Sequence, residues 1–136
     1  MQKLTRHHLD TSIILEPRRT EDGRYCTKYL QKVGYNYSGV LSIHSLGEVL
    51  LAIMLIEEYD ERHDLLDAVH RLIRSRKISY HFPRNIEGIV TRIKQTDHLI
   101  DPTDAQILAC AAEDKSSLVT IDKKLVGNAY WKENSE

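Results

Sequence analysis

The chain has 136 residues, 41% of them hydrophobic and 29% charged, with a net charge of −1. That length fits one domain spanning residues 1–136, the composition argues against a disordered chain, and a net charge near zero neither predicts nor excludes a nucleic-acid partner. Two cysteines without CxxC spacing fit a reducing compartment. The lack of a signal pattern and of any apolar run longer than Val49 to Ile56 implies a cytoplasmic chain with no membrane association.

In chain order, Arg6 to Leu9 reads as a short strand ending on Asp10, and Ile13 to Leu15 with Pro17 as a loop. Cys26, Tyr29, Leu30 and Val33 recur at helical spacing within Glu21 to Val33, and Gly34 stops that helix. Tyr37 to Leu41 is the second strand. Ser45 and Glu48 have the spacing of a capping box ahead of the run Val49 to Ile56, which is apolar all round. Leu65, Leu66, Val69, Leu72 and Ile73 mark a further helix whose far end carries Arg71, Arg74, Arg76 and Lys77.

Ile78 to Phe82 gives the third strand, and Ile86, Ile89, Val90 and Ile93 give another helix. Asp101 caps a helix that has Pro102 in its first position, Asp104 one turn in and an Ala-rich body. Leu118 to Ile121 then forms a strand closed by Asp122, and the tail from Val126 remains unassigned. Alternating strands and helices predict an α/β fold, a three-layer α/β/α sandwich on a short parallel sheet.

Asp10, Glu48, Asp104 and Asp122 all fall at element boundaries. Each alone has an ordinary reading as a cap or first-turn acid, Asp122 for a helix starting at Lys123. Together, at strand ends of one parallel sheet, they would pool negative charge in one crevice, which is unfavourable unless a cation neutralises it. Carboxylates without histidine or cysteine partners suit a hard divalent ion. His44 and Glu48 have i, i+4 spacing, but nothing supplies the remaining ligands of a zinc site.

The segments Leu9-Asp-Thr-Ser12, Ser42-Ile-His-Ser-Leu-Gly-Glu-Val49, Asp104-Ala-Gln-Ile-Leu-Ala-Cys-Ala111 and Leu118-Val-Thr-Ile-Asp122, in that order, resemble the PIN-domain nucleases. That family includes the toxins of toxin–antitoxin pairs. The resemblance implies a Mg2+- or Mn2+-dependent ribonuclease. It places Asp10, Glu48, Asp104 and Asp122 as catalytic metal ligands and Ser12 and Thr120 as supporting hydroxyls. It also implies an RNA substrate, an antitoxin partner and a homodimer. Arg18, Arg19, Arg74 and Arg76 are candidates for holding the RNA backbone. The alternatives are a non-catalytic PIN-like module that binds RNA or protein, and a small phosphatase or phospho-acceptor domain. The latter would pair the aspartate after its first strand with a second acid close by, which Asp10-Thr-Ser12 does not have.

Overall fold

Four parallel strands carry the fold, and the computed structural model describes residues 4–16, 20–75 and 77–122. The strands are β1 (Arg6–Leu9), β2 (Ser38–Ser42), β3 (Ile78–His81) and β4 (Ser117–Val119), in the sheet order β3-β2-β1-β4. His8 pairs with Val40 and with Leu118, and Ser42 with His81, all in parallel register. The helices are α1 (Thr11–Leu15), α2 (Glu21–Gln31), α3 (Ile43–Met54), α4 (Tyr59–Arg74), α5 (Glu87–Thr96) and α6 (Pro102–Asp114). Because β1 leads to β2 on one side while β4 returns on the other, the strand order reverses beside β1. That reversal opens a crevice at the carboxyl ends of β1 and β4.

The pleat divides the core between the two faces of the sheet. Leu9, Leu41 and Ile78 pack with Val49, Ile53, Leu65 and Val69 beneath the α1–α4 layer. On the other side, Ile93, Ala105, Leu108 and Ala109 form the α5–α6 cluster, with Leu118 against it. β1 shows the alternation in adjacent residues. His7 stacks on Tyr37 with ring centroids 4.4 Å apart, whereas His8, fully buried, meets Ser116 at 3.2 Å. The small side chains of α6 let its backbone lie close to the sheet, so Ala105, Ala109, Cys110 and Ala111 have no solvent exposure.

The start of α6 follows the expected chemistry: Asp101 Oδ1 accepts the Thr103 N–H at 2.8 Å, and Pro102 fills the first turn. Both cysteines are free and buried, as their apolar neighbours imply. Ile13 to Leu15, expected as a loop, belongs to helix α1. Five residues are too few to show helical periodicity, and burial of Ile13 and Ile14 against the core holds the turn. The capping box at Ser45 and Glu48 does not form either. α3 begins at Ile43 directly after β2, with Ser42 as its N-cap, and the Ser42 hydroxyl donates to Ser45 Oγ at 2.8 Å.

β4 ends at Val119, so Asp122 stands three residues beyond the strand that it was expected to close. α3 is not buried all round: Leu51, Met54 and, at its C-cap, Leu55 are exposed, as is Tyr59 at the start of α4. Among the described residues, no helix is long and apolar enough to cross a membrane.

Candidate active site at the carboxyl edge of the sheet

Asp10 follows the last residue of β1, where its backbone N–H still donates to Val119 O at 3.0 Å and so extends the β1–β4 ladder. Its side chain is only 7% exposed. Two hydroxyls converge on one of its oxygens: Ser12 Oγ donates to Asp10 Oδ2 at 2.7 Å and Thr120 Oγ1 at 2.6 Å. Ser12 and Thr120 lie 3.2 Å apart, which closes a triangle around that oxygen. Bonds to an ionised acceptor are short and strong, so this carboxylate is held in one orientation.

Thr120 and Ser12 also fix the chain that follows β4. The Asp122 N–H donates to Thr120 Oγ1 at 2.9 Å, and the Ile121 N–H to Ser12 Oγ at 3.3 Å. Asp122 is thereby tied to the support of Asp10 through Thr120. Asp10 caps no backbone amide of α1 with its side chain. Its carboxylate is committed to the hydroxyl pair instead.

Glu48 lies one turn and a half into α3, which leaves the carboxyl end of β2 beside β1. Burial raises its carboxyl above the usual range, and the charges of Asp10, Asp104 and Asp101 raise it further. Asp10 after β1, Glu48 in α3 and Asp104 in the first turn of α6 are thus within electrostatic reach of one another. Asp101 is a member of this group that sequence reasoning assigned only to capping. Its position one turn before Asp104 was the available signal, because residues three apart share a helix face.

The donors gathered here are carboxylate and hydroxyl oxygens, a set that fits a hard divalent ion in kind. Burial first, and the neighbouring carboxylates after it, raise the proton affinity of Glu48. Among the described residues, no three acids, imidazoles or thiols already stand as a ready-made cage. Ions of the magnesium type keep several waters and use one or two carboxylates together with substrate phosphate, so a full protein cage is not required of such a site.

The basic residues behave differently. Arg74 ends α4, which runs into the start of β3, so the parallel topology puts it at the amino edge of the sheet, opposite the acids. Arg71, one turn earlier, pairs with Asp67 at 2.5 Å and, with Lys77, lines a cavity of about 420 Å3 between α2 and α4. None of the acids lines that cavity. Arg18, Arg19 and Arg76, the other candidates for RNA contact, and Lys123 lie outside the described residues.

Behind Glu48, one turn back along α3, His44 Nδ1 approaches Cys110 Sγ at 4.0 Å. Burial lowers the His44 imidazole, assisted by His81, and pushes the Cys110 thiol up to about 12. An apolar, neutral floor therefore backs the acid group.

The sequence pattern that defines the PIN domain matches residues 8–129. No curated protein matches the sequence. Among solved structures, the chain is similar to FitAcB from Neisseria gonorrhoeae at 19% identity and a TM-score of 0.67, covering 88% of this chain and 89% of that one. VapBC2 from Rickettsia felis, solved bound to a DNA fragment from its promoter, gives 16% identity and a TM-score of 0.68, covering 92% and 94%. FitAB bound to the IR36 DNA fragment gives 19% identity and a TM-score of 0.66, covering 93% and 90%.

Proposed function

Because the chain belongs to the PIN domain family, a family of nucleases, we propose that it is a divalent-metal-dependent ribonuclease that hydrolyses RNA phosphodiester bonds as the toxin of a toxin–antitoxin pair. The observation that supports the reading is the hydroxyl pair at the carboxyl edge of the sheet, where Ser12 Oγ and Thr120 Oγ1 hold Asp10 Oδ2 at 2.7 and 2.6 Å. In this reading Asp10, Glu48, Asp104 and Asp122 hold Mg2+ or Mn2+. A divalent ion held by these carboxylates would supply Lewis-acid polarisation of the phosphate and acidify water beside it.

The chain's own contribution is placement. Ser12 and Thr120 orient Asp10 by engaging Oδ2, and Thr120 carries Asp122 with it. Positive charge bound beside Glu48 would offset the burial and the neighbouring carboxylates that raise its carboxyl. No side-chain nucleophile is called for. A buried Asp10 carboxylate with half-buried Glu48, Asp104 and Asp122 favours a catalytic site over a PIN-like module that only binds.

The antitoxin partner and cytoplasmic location belong to the same reading, supported by fold neighbours that are toxin–antitoxin complexes bound to DNA. In a homodimer, a second copy would cover the exposed Leu51, Met54, Leu55 and Tyr59.

The test is cleavage of a mixed RNA pool by purified protein with Mg2+ or Mn2+ and with EDTA, alongside Asp10→Asn and Asp104→Asn. Metal-dependent cutting abolished by both substitutions, with the fold retained, is the expected result. Folded variants that cut as well as the parent would sink the assignment.

A further inference from the structure

β3 ends at His81, and the loop that leaves it runs through Phe82, Pro83, Arg84 and Asn85. Glu113, on the last turn of α6, clamps this loop. Its Oε1 accepts the Arg84 N–H at 3.2 Å, its Oε2 accepts the Asn85 N–H at 2.9 Å, and His81 Nε2 meets Oε1 at 2.7 Å. Two backbone amides and an imidazole fixed by one carboxylate make the loop rigid. On that rigid loop Phe82 is 63% exposed, and the Arg84 guanidinium has no hydrogen bond or ion pair among the described residues.

Phe82 and Arg84 line a cavity of about 420 Å3 together with Tyr80, His81, Glu113 and Asp114. The Tyr80 hydroxyl and His81 Nδ1 are buried without a hydrogen-bond partner among the described residues. In the tautomer that donates Nε2–H to Glu113, His81 Nδ1 is an acceptor, while the tyrosine can donate or accept. The two carboxylates of the cavity are already engaged, Glu113 as described and Asp114 by Arg6 at 2.8 Å. Arg84 is therefore its uncommitted charge.

All strands are parallel, so the exit of β3 lies on the same edge of the sheet as Asp10, two strands away, about 10 Å at the usual strand spacing. His44 bridges the two places, lying one helical turn from Glu48 and within electrostatic reach of His81. That separation is one or two nucleotides of an extended strand. We propose that this cavity is a nucleotide subsite. An unpaired base of the RNA stacks on Phe82, and Arg84 contacts an adjoining phosphate.

Stacking on exposed aromatics combined with a cation for the backbone is how single-stranded RNA is commonly held, and it requires an unpaired base. The inference rests on the ribonuclease reading for its substrate. The subsite positions the strand and takes no part in bond cleavage.

The experiment measures binding of a fluorescein-labelled single-stranded RNA octamer by anisotropy in EDTA, and steady-state cleavage in Mn2+. It compares the parent with Phe82→Ala, Phe82→Trp and Arg84→Ala. Adenosine monophosphate titrated into 15N-labelled protein reports on the amides of residues 82, 84 and 85. Phe82→Ala should weaken octamer binding about tenfold and raise KM with kcat unchanged, Phe82→Trp should restore it, and the nucleotide should shift those amides. Arg84→Ala should reduce the salt dependence of binding.

Equal octamer affinity in Phe82→Ala and the parent overturns the subsite. If cleavage still requires Asp10 and Asp104 in that case, the nuclease reading survives alone. An octamer bound through Phe82 but never cut keeps the subsite and removes the nuclease. A parent that neither binds the octamer nor shows amide shifts overturns the subsite, and one that also cuts no RNA overturns both.

Discussion

Thr120 donates its hydroxyl to Asp10 Oδ2 at 2.6 Å across 110 positions of sequence, so the last strand of the sheet holds the carboxylate that follows the first. A hydrogen bond to a charged group is worth about 1.5–3 kcal/mol, and Ser12 alone cannot complete the triangle. Thr120→Val keeps the shape and removes the donor. Its RNA cleavage should fall by about tenfold or more while its thermal midpoint drops by only a few degrees. Thr120→Ser should restore most of the rate. Equal rates in Thr120→Val and the parent would show that Asp10 needs no such support.

Glu48 offers a second test, because its raised carboxyl links folding to pH. The folded state binds the Glu48 proton more tightly than the unfolded chain does, so its contribution is favourable at acid pH and is lost as pH rises through the folded value. In EDTA at pH 7.5, Glu48→Gln should therefore be more stable than the parent, by less than about 1 kcal/mol for a group that keeps some solvent contact. The difference should vanish near pH 4. Added Mn2+ should reverse the order, stabilising the parent more than the variant. Thermal melts at the two pH values, with and without metal, decide it.

The placement of Asp10 and Asp104 at element boundaries could be read from sequence because each stands beside a strong local signal. Asp10 follows an apolar strand, and Asp101 and Asp104 open a helix with Pro102 between them. What sequence could not supply is direction. The basic end of α4 was a candidate for RNA contact, yet Arg74 lies at the opposite edge of the sheet, a relation fixed only by parallel pairing of β2 and β3. Ser42 displaced Ser45 as the α3 cap for a similar reason: β2 passes straight into the helix, and no sequence signal marks a boundary without a loop. Phe82 and Arg84 gave no periodic signal and gain meaning only from the Glu113 clamp, 28 and 29 positions away.

Gly39, the second residue of β2, tests how tightly the sheet meets the α1–α4 layer. A Cβ there would come within 2.6 Å of Ile78 Cδ1 and 2.9 Å of Val33 Cγ1, both on buried residues. Gly39→Ala should cost about 1–3 kcal/mol through overpacking, read as a lower urea midpoint with an unchanged slope. A combined Gly39→Ala, Ile78→Val variant should recover part of that loss, because the shorter side chain removes the nearest clash. A single variant as stable as the parent would mean that the sheet and helices adjust freely at this point.

His8 should dominate the acid limb of the stability curve. It is fully buried in β1, with Nδ1 on Ser116, and burial drives its imidazole down to about 4. From α6 the Asp114 carboxylate works the other way, while His81 of β3, His44 of α3 and Arg6 of β1 add to the depression. The unfolded chain binds the proton near pH 6.5 and the folded one only near 4. Stability from this group is thus complete above pH 6.5 and is lost as pH falls from there toward 4, in total on the order of 3 kcal/mol. His8→Asn keeps a polar atom toward Ser116 but removes the titration. Its unfolding free energy should start lower at pH 7.5 through lost packing, then change less than the parent's between pH 6.5 and 4. Parallel curves for the two proteins over that window would mean that other groups set the acid limit.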